Sequence, residues 1–154
     1  MLEELLKDLS YLGFFIAGLI SSSTIFFPIP FYFLIVISSK LGLNPYIAAL
    51  FSAAGATLGE LTSYFVGQGI SSYVWNKLKE NKTYKKMIKL FEKYGSWILI
   101  VFSSSPLPFD FIGIMCGFLK YDLKKFLIIT FIGKLFKMLI IAYFGEIALH
   151  YIGW

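Results

Sequence analysis

The sequence predicts an all-α integral membrane protein made of two inverted repeats, each a re-entrant helical hairpin followed by a transmembrane helix. Three observations lead to this fold class. Hydrophobic residues make up 58% of the chain and charged residues 15%, whereas soluble proteins carry about 25% charged residues. Two similar apolar phrases each contain a Pro-X-Pro break, and lysine-rich stretches lie on both sides of the second broken segment.

Four apolar runs divide the chain, and each exceeds the roughly 20 residues that span a bilayer. They are 9–39, 46–69, 95–119 and 126–149. We therefore expect one membrane domain over 1–154, without a separate soluble module. The acidic start of the chain lacks the basic region of a secretory signal, so we expect no cleaved signal peptide.

The first and third runs carry the breaks. A Pro-X-Pro cannot lie inside an intact helix, because proline removes a backbone donor and clashes with the preceding turn. The four break residues are Pro28, Pro30, Pro106 and Pro108. Each pair follows a serine triplet in its phrase. Interruptions at corresponding places in two halves of a membrane protein indicate broken helices that meet at a transport site.

Charge predicts which ends face the cytoplasm. The stretch 71–94 holds seven lysines and two glutamates, and the loop 120–125 holds three lysines and one aspartate. Both are predicted to be cytoplasmic by the positive-inside rule. Because both ends of 95–119 then lie on one side, this run is predicted to enter and return as a hairpin.

The remaining runs follow from that assignment. Runs 46–69 and 126–149 cross the membrane in opposite directions, and the repeat makes 9–39 a hairpin that enters from the outside. The alternative is a full crossing by 9–27, which gives four or five crossings. In either case the protein is placed in the cell membrane as a multi-pass protein.

Residues 84–94 have the pattern of an interfacial helix. Apolar residues recur at helical spacing with lysines opposite, and these lysines would attract anionic headgroups. The apolar positions are Tyr84, Met87, Ile88, Phe91 and Tyr94. The alternative is a solvated cytoplasmic linker.

Four ionisable residues within the apolar runs are candidate functional groups, since charges in membrane segments are costly. They are Glu60, Asp110, Lys134 and Lys137. Counted from the inner ends of their runs, Glu60 and Lys134 lie at about the same depth, roughly 12–14 Å from the cytoplasmic boundary. We therefore expect them to be able to pair. The pair either locks two helices or combines a lysine site for an anionic headgroup with a proton acceptor or gate at Glu60.

The second break has its own polar groups. Asp110 follows Pro108 directly and is expected either to cap the restarted helix or to carry protons. The hydroxyls of Ser103, Ser104 and Ser105 are expected either to bind phosphate or to satisfy the broken helix ends.

Small residues recur every four positions in the second run. They are Gly55, Gly59, Ser63 and Gly67. Such a stripe allows helices to approach closely in lipid, so we interpret it as a packing surface. The sequence contains no metal cluster, phosphate loop or nucleophile–base arrangement, so we expect no enzyme activity, metal or cofactor, and no nucleic-acid partner.

The order of these motifs resembles the DedA family, also called the VTT or SNARE-associated membrane domain, and most resembles its small YqaA-type branch. The resemblance covers about residues 11–149. The matching elements are the Pro28-Ile-Pro30 break, Gly55-x3-Gly59-Glu60-x3-Tyr64-x2-Gly67, Lys93-Tyr94-Gly95 leading to Ser105-Pro106-Leu-Pro108-Phe-Asp110 and Gly117-Phe-Leu-Lys120, and Gly133-Lys134 with Lys137.

The resemblance implies opposed re-entrant hairpins and lipid translocation. Prokaryotic relatives are associated with recycling of polyprenyl phosphate, often with proton dependence, and eukaryotic relatives with phospholipid scrambling. This chain departs from the family pattern at both breaks. It has Phe31 and Tyr32 where an acid often follows the first break, and it contains no arginine.

The leading functional hypothesis is a transporter or flippase for an anionic lipid such as polyprenyl phosphate, bound by Lys134 and Lys137. The alternatives are an energy-independent scramblase and a non-transporting structural or partner-binding membrane protein. Expected partners are membrane lipids with anionic headgroups and a second copy of the chain, which would complete the cavity.

Overall fold

The computed structural model describes residues 2–23, 32–105 and 109–151, and all regular structure in these residues is helical. Seven α-helices follow one another, with a short 3₁₀ turn at Ser38–Leu41 after the second. They are α1 (Leu2–Ser23), α2 (Tyr32–Ile37), α3 (Pro45–Gly59), α4 (Leu61–Leu78), α5 (Lys82–Ser104), α6 (Asp110–Phe118) and α7 (Leu123–Tyr151).

Helices α3 and α4 form one long helix that is interrupted only at Glu60. The Glu60 amide still bonds to the Ala56 carbonyl at 3.2 Å, and the Glu60 carbonyl accepts the Tyr64 amide at 3.1 Å. Asn44 begins this helix, because its side-chain oxygen accepts the amides of Tyr46 and Ile47. Asn81 caps α5 in the same way.

The contacts fix the relative directions of the helices in the first half. Tyr11 of α1 bonds to Asn44, and further along α1 Phe15 and Leu19 contact Gly55, so α1 and α3 run parallel. Helix α7 runs antiparallel to α3, because Glu146 bonds to Tyr46 while Lys134 bonds to Glu60. Tyr32 contacts Lys137 and Val36 contacts Gly145, so α2 runs with α7 and opposite to α1.

The second half repeats this arrangement. Helix α5 runs parallel to α7, since Gly95 contacts Tyr121 and Ser103 contacts Gly133. Helix α6 runs parallel to α4, because Gly113 packs against the Ser63 side chain and Gly117 packs against the Tyr64 carbonyl. In each half the first helix packs on the long helix of its own half, and the second packs on the long helix of the other half.

The two halves have cores of different composition. The first cluster lies among α1, α2, α3 and α7 and is rich in alanine, with Ile35 and Met138 fully buried. The second lies among α4, α5, α6 and α7 and is rich in aromatic residues, with Leu99 and Phe126 fully buried.

The helix bounds differ from the predicted runs in two ways. Helix α5 continues through Gly95, so the amphipathic segment 84–94 and the first arm of the run 95–119 form one helix. A single glycine costs a helix only about 1 kcal/mol, and this one packs closely against the Tyr121 ring. Most of the apolar face of 84–94 packs against protein, since Tyr84 and Phe91 belong to the second core, whereas Tyr94 at its end is exposed.

The second difference concerns the run 46–69, which the turn at Glu60 divides between α3 and α4. Among the described helices, Leu123–Tyr151 is long and apolar enough by itself to cross a membrane, with a mean hydropathy of 2.0 over its most apolar 18 residues. It contains the whole run 126–149. The break residues Pro28, Pro30, Pro106 and Pro108 lie outside the described residues.

Candidate functional site

A buried ion pair joins the two long helices near their middles. The Lys134 ammonium lies 2.6 Å from Glu60 Oε1, and both residues are 3% exposed. The sequence predicts such a pair, because Glu60 and Lys134 lie at about equal distances from the inner ends of their apolar runs. By residue count, Glu60 lies about 22 Å from one end of the α3–α4 helix and about 27 Å from the other.

The other two donors of the Lys134 ammonium and the second oxygen of Glu60 also have partners. An ammonium group has three donors. Lys134 donates the other two to Ser22 Oγ at 3.0 Å and to the Ala56 carbonyl at 3.3 Å. Glu60 Oε2 accepts from Ser63 Oγ at 3.1 Å, and the Phe109 ring lies 5.6 Å from the ammonium.

The small-residue stripe allows these groups to meet. A Cβ on Gly55 would overlap the Phe15 carbonyl, and one on Gly59 would contact Ser22. The close approach of α1 and α3 brings Ser22 within reach of Lys134. Further along the stripe, Ser63 and Gly67 contact α6, which is the arrangement that the packing interpretation requires.

Lys137 has different surroundings, although it lies one turn from Lys134. It is half-buried. Its ammonium lies 5.0 Å from the centre of the Tyr32 ring and 3.4 Å from the Ser105 carbonyl. Among the described side chains, no carboxylate lies within 4.0 Å of it. Lys137 therefore has a cation–π contact and one long hydrogen bond, without a close counterion.

Asp110 and Tyr32 occupy the first positions of the two short helices, α6 and α2. Asp110 is the first residue of α6 rather than its N-cap residue, which is Phe109 and makes no side-chain cap bond. The Asp110 carboxylate lies in the first turn of α6, where a negative charge interacts favourably with the positive end of the helix dipole. Asp110 is half-buried and lies within electrostatic range of Glu60 and Lys134.

The serine hydroxyls near the second break are directed to their own helix. Ser103 Oγ donates to the Ile100 carbonyl at 3.2 Å and Ser105 Oγ to the Phe102 carbonyl at 3.0 Å. Ser103 is fully buried against Gly133. Ser104, at the end of α5, also lies near Gly133. Ser105 contacts Lys137 through its backbone carbonyl.

Sequence reasoning missed three participants in this site. Ser22 belongs to the first serine triplet, but which of the three hydroxyls faces α7 depends on helix packing. Ser63 was interpreted as a packing residue, although its position three residues after Glu60 places both on one helix face. Tyr32 was noted only as a departure from the acid that often follows the first break in the family.

The described residues contain no group of three or more His, Cys, Asp and Glu side chains that is placed to hold a metal ion. Cys116 is free and fully buried. The site is therefore a set of paired and partly paired charges among apolar helices, which is typical of membrane proteins that move or bind polar groups.

The comparisons with known proteins identify the family. The profile of the VTT domain matches residues 27–147. The chain belongs to this family of membrane proteins, the DedA family, which is commonly associated with membrane lipid transport.

Three relatives are similar to the chain. An uncharacterized protein of Methanocaldococcus jannaschii is 28% identical over 136 residues, which are 88% of this chain and 84% of that protein. An uncharacterized protein of Haemophilus influenzae is 25% identical over 77% of this chain and 64% of its own length. A vacuole membrane protein 1 homolog of Dictyostelium discoideum is 34% identical over 56% of this chain and 27% of its own length. No solved structure shows a significant match.

Proposed function

We propose that this protein is a multi-pass membrane lipid transporter that moves an anionic lipid headgroup, such as that of polyprenyl phosphate, across the cell membrane. One observation carries the proposal. Two lysines and two carboxylates lie close to the starts of α2 and α6, among apolar helices. Charges are costly to bury in such surroundings, and ionisable residues found there are therefore candidates for function. The family's association with lipid transport supports the same function.

The helix directions support an inverted repeat. In each half the two shorter helices run in opposite directions, and the two long helices run antiparallel to each other. We propose that each pair of opposed helices is a re-entrant hairpin, with its tip near the ion pair, and that 71–94 and 120–125 face the cytoplasm.

Lys137 is the best candidate for contact with the headgroup. A phosphate would give its ammonium the close counterion that the described side chains do not supply, and the Tyr32 ring would hold the lysine stem in place. Before the lipid binds, Lys134 is paired with Glu60 and forms the inner wall of the site. Exchange of this partner for phosphate would let Glu60, together with Asp110, act as a gate or proton acceptor. The hydrocarbon chain would stay in the bilayer.

The test is translocation of a fluorescent short-chain polyprenyl phosphate in proteoliposomes. We expect Lys137→Met to reduce the rate by about tenfold or more, which corresponds to a loss of about 1.4 kcal/mol of interaction. The double variant Lys134→Ala, Lys137→Ala should abolish transport. Lys124→Met removes an exposed lysine at the start of α7 and is the matched control. Transport that survives the double variant would refute the lysine site.

The same assay separates a transporter from a scramblase. A scramblase would equilibrate lipids of different headgroup equally well and would not respond to a pH gradient. A transporter that uses Glu60 and Asp110 for protons would respond to the gradient and would discriminate in favour of anionic headgroups.

A second candidate function is structural, because every donor of the Lys134 ammonium is satisfied within the protein. A pair that only locks α3 to α7 predicts that Glu60→Lys combined with Lys134→Glu restores folding. It also predicts that the wild-type protein transports no lipid in the proteoliposome assay.

A further inference from the structure

A second polar site lies away from the Glu60–Lys134 pair, at the connection between α6 and α7. A cavity of about 500 Å³ opens there beside α5, which is within the size range of small-molecule sites. Its lining combines two acids, two lysines and two aromatic rings, together with aliphatic side chains. These six residues are Glu92, Asp122, Lys120, Lys125, Phe91 and Tyr121.

The aromatic wall of the cavity is held in place by contacts from α4 and α5. The Tyr64 hydroxyl donates to the Tyr121 carbonyl at 2.5 Å. The hydroxyls of Ser96 and Tyr121 lie 3.0 Å apart, and the Phe91 and Tyr121 rings meet edge to face. The wall is therefore preformed, which lowers the entropic cost of binding.

The charged groups of the lining do not neutralise one another. Among the described side chains, Glu92, Asp122 and Lys125 have no ion-pair partner within 4.0 Å. Asp122 caps α7 by accepting the Lys125 amide at Oδ1, at 2.8 Å. The cavity thus presents separate positive and negative groups with no net charge.

Lys120 occupies a backbone position that usually requires glycine. Its φ is 55°, and it follows α6 in a turn closed by the Tyr121 amide on the Cys116 carbonyl at 2.8 Å. This left-handed conformation strains a residue with a side chain. A lysine at this position places a positive charge on the lining at the expense of local backbone strain.

Exposed aromatic residues near this cavity mark the level of a membrane interface. On α5, Tyr94 is 44% exposed and Trp97 is 69% exposed, within two turns of Glu92. Tyrosine and tryptophan are enriched where a membrane protein meets the headgroup region. The cavity therefore lies where lipid headgroups, rather than hydrocarbon, would surround it.

We infer that this cavity binds the headgroup of a zwitterionic phospholipid, with the ammonium group at Glu92 and Asp122 and the phosphodiester at Lys120 and Lys125. The site is separate from the transport site proposed above and does not depend on transport. It would hold a lipid at the cytoplasmic surface, with its acyl chains along the apolar surface of α5.

The test is calorimetric titration of the full chain in detergent with dihexanoyl phosphatidylethanolamine and, separately, with dihexanoyl phosphatidylglycerol. We expect phosphatidylethanolamine to bind about tenfold more tightly. Glu92→Gln should remove that preference and leave phosphatidylglycerol binding unchanged, and Lys125→Gln should weaken the binding of both lipids. Glu80→Gln and Lys79→Gln, in the exposed turn between α4 and α5, are matched controls and should bind both lipids as the wild type does.

Two results would overturn the inference. One is equal affinity of the wild type for the two lipids, or an unchanged preference in a Glu92→Gln variant with native helix content. The other is tight binding of glycerophosphoethanolamine, which has the headgroup but no acyl chains. We expect this solute to bind at least about tenfold more weakly than the lipid. The titration measures binding and not translocation. A negative result would therefore overturn this inference without contradicting the proposed transport function.

Discussion

The regions around Lys134 and Lys137 are one helical turn apart on α7 but use their charges differently. Lys134 is almost fully buried and divides its three donors among a carboxylate, a hydroxyl and a carbonyl. Lys137 is half-buried and contacts an aromatic ring and one carbonyl. The difference teaches that a charge within a membrane segment can be either part of the framework or available to a ligand, and that the close partners decide which.

The largest expected effect comes from removing the fully paired lysine. Lys134→Ala should lower the free energy of unfolding by about 3–5 kcal/mol, because it leaves the Glu60 carboxylate buried without its partner. Lys137→Ala should cost only about 1 kcal/mol, since a cation–π contact of this kind contributes about that much. Thermal unfolding in detergent, followed by circular dichroism, measures both. Equal losses would contradict the comparison.

Removing both charges of the pair tests whether Glu60 and Lys134 stabilise each other. Glu60→Gln combined with Lys134→Met should be more stable than either single variant, because no uncompensated charge then remains buried. The coupling energy from the four proteins of the cycle measures the interaction. Additive effects of the two substitutions would mean that the pair does not interact as the 2.6 Å distance indicates.

The close packing of α1 against α3 at the glycines positions the partners of Lys134 rather than those of Lys137. Gly55→Val should force α1 away from α3, because its side chain would overlap the Phe15 carbonyl, at a cost of about 1–3 kcal/mol or more. Gly13 has open space at its Cβ position. Gly13→Ala should therefore be neutral or stabilise by about 0.5–1 kcal/mol. Chemical unfolding of the two variants against the wild type provides the measurement.

Much of this arrangement is already indicated by the sequence. The four candidate charges are recognisable because they interrupt apolar runs, and the depths of Glu60 and Lys134 predict their pairing. The all-helical fold and the family follow from composition and motif order. These signals are available because charges and prolines in membrane segments are costly and therefore informative.

Other features depend on packing that one sequence does not encode locally. Nothing between Gly59 and Leu61 marks a helix interruption as proline does, so the turn at Glu60 was not predicted. The contact of Lys137 with Tyr32 joins residues far apart in the chain. The continuation of α5 through Gly95 was missed because the change from an amphipathic to an apolar pattern suggested a boundary, although no proline lies there and a single glycine costs a helix only about 1 kcal/mol.

The smallest expected difference concerns two serines. Ser22→Ala should cost about 1 kcal/mol, because it removes an acceptor of the Lys134 ammonium. Ser105→Ala should cost about 0.5 kcal/mol, since Lys137 bonds to the backbone carbonyl of Ser105, which alanine retains. Unfolding midpoints for the two variants, measured side by side, test this order, and a larger loss at Ser105 would reverse it.

Both lysines have the proposed roles only if the hairpins enter the membrane from opposite faces, and substituted-cysteine labelling in cells tests this claim most directly. Single cysteines at Lys40, Glu80 and Lys124, in a background with Cys116→Ala, report the sides of three connections. We predict that a membrane-impermeant maleimide labels position 40 from outside and reaches positions 80 and 124 only after the cytoplasmic face is opened. Labelling of positions 80 and 124 from opposite sides would contradict the account.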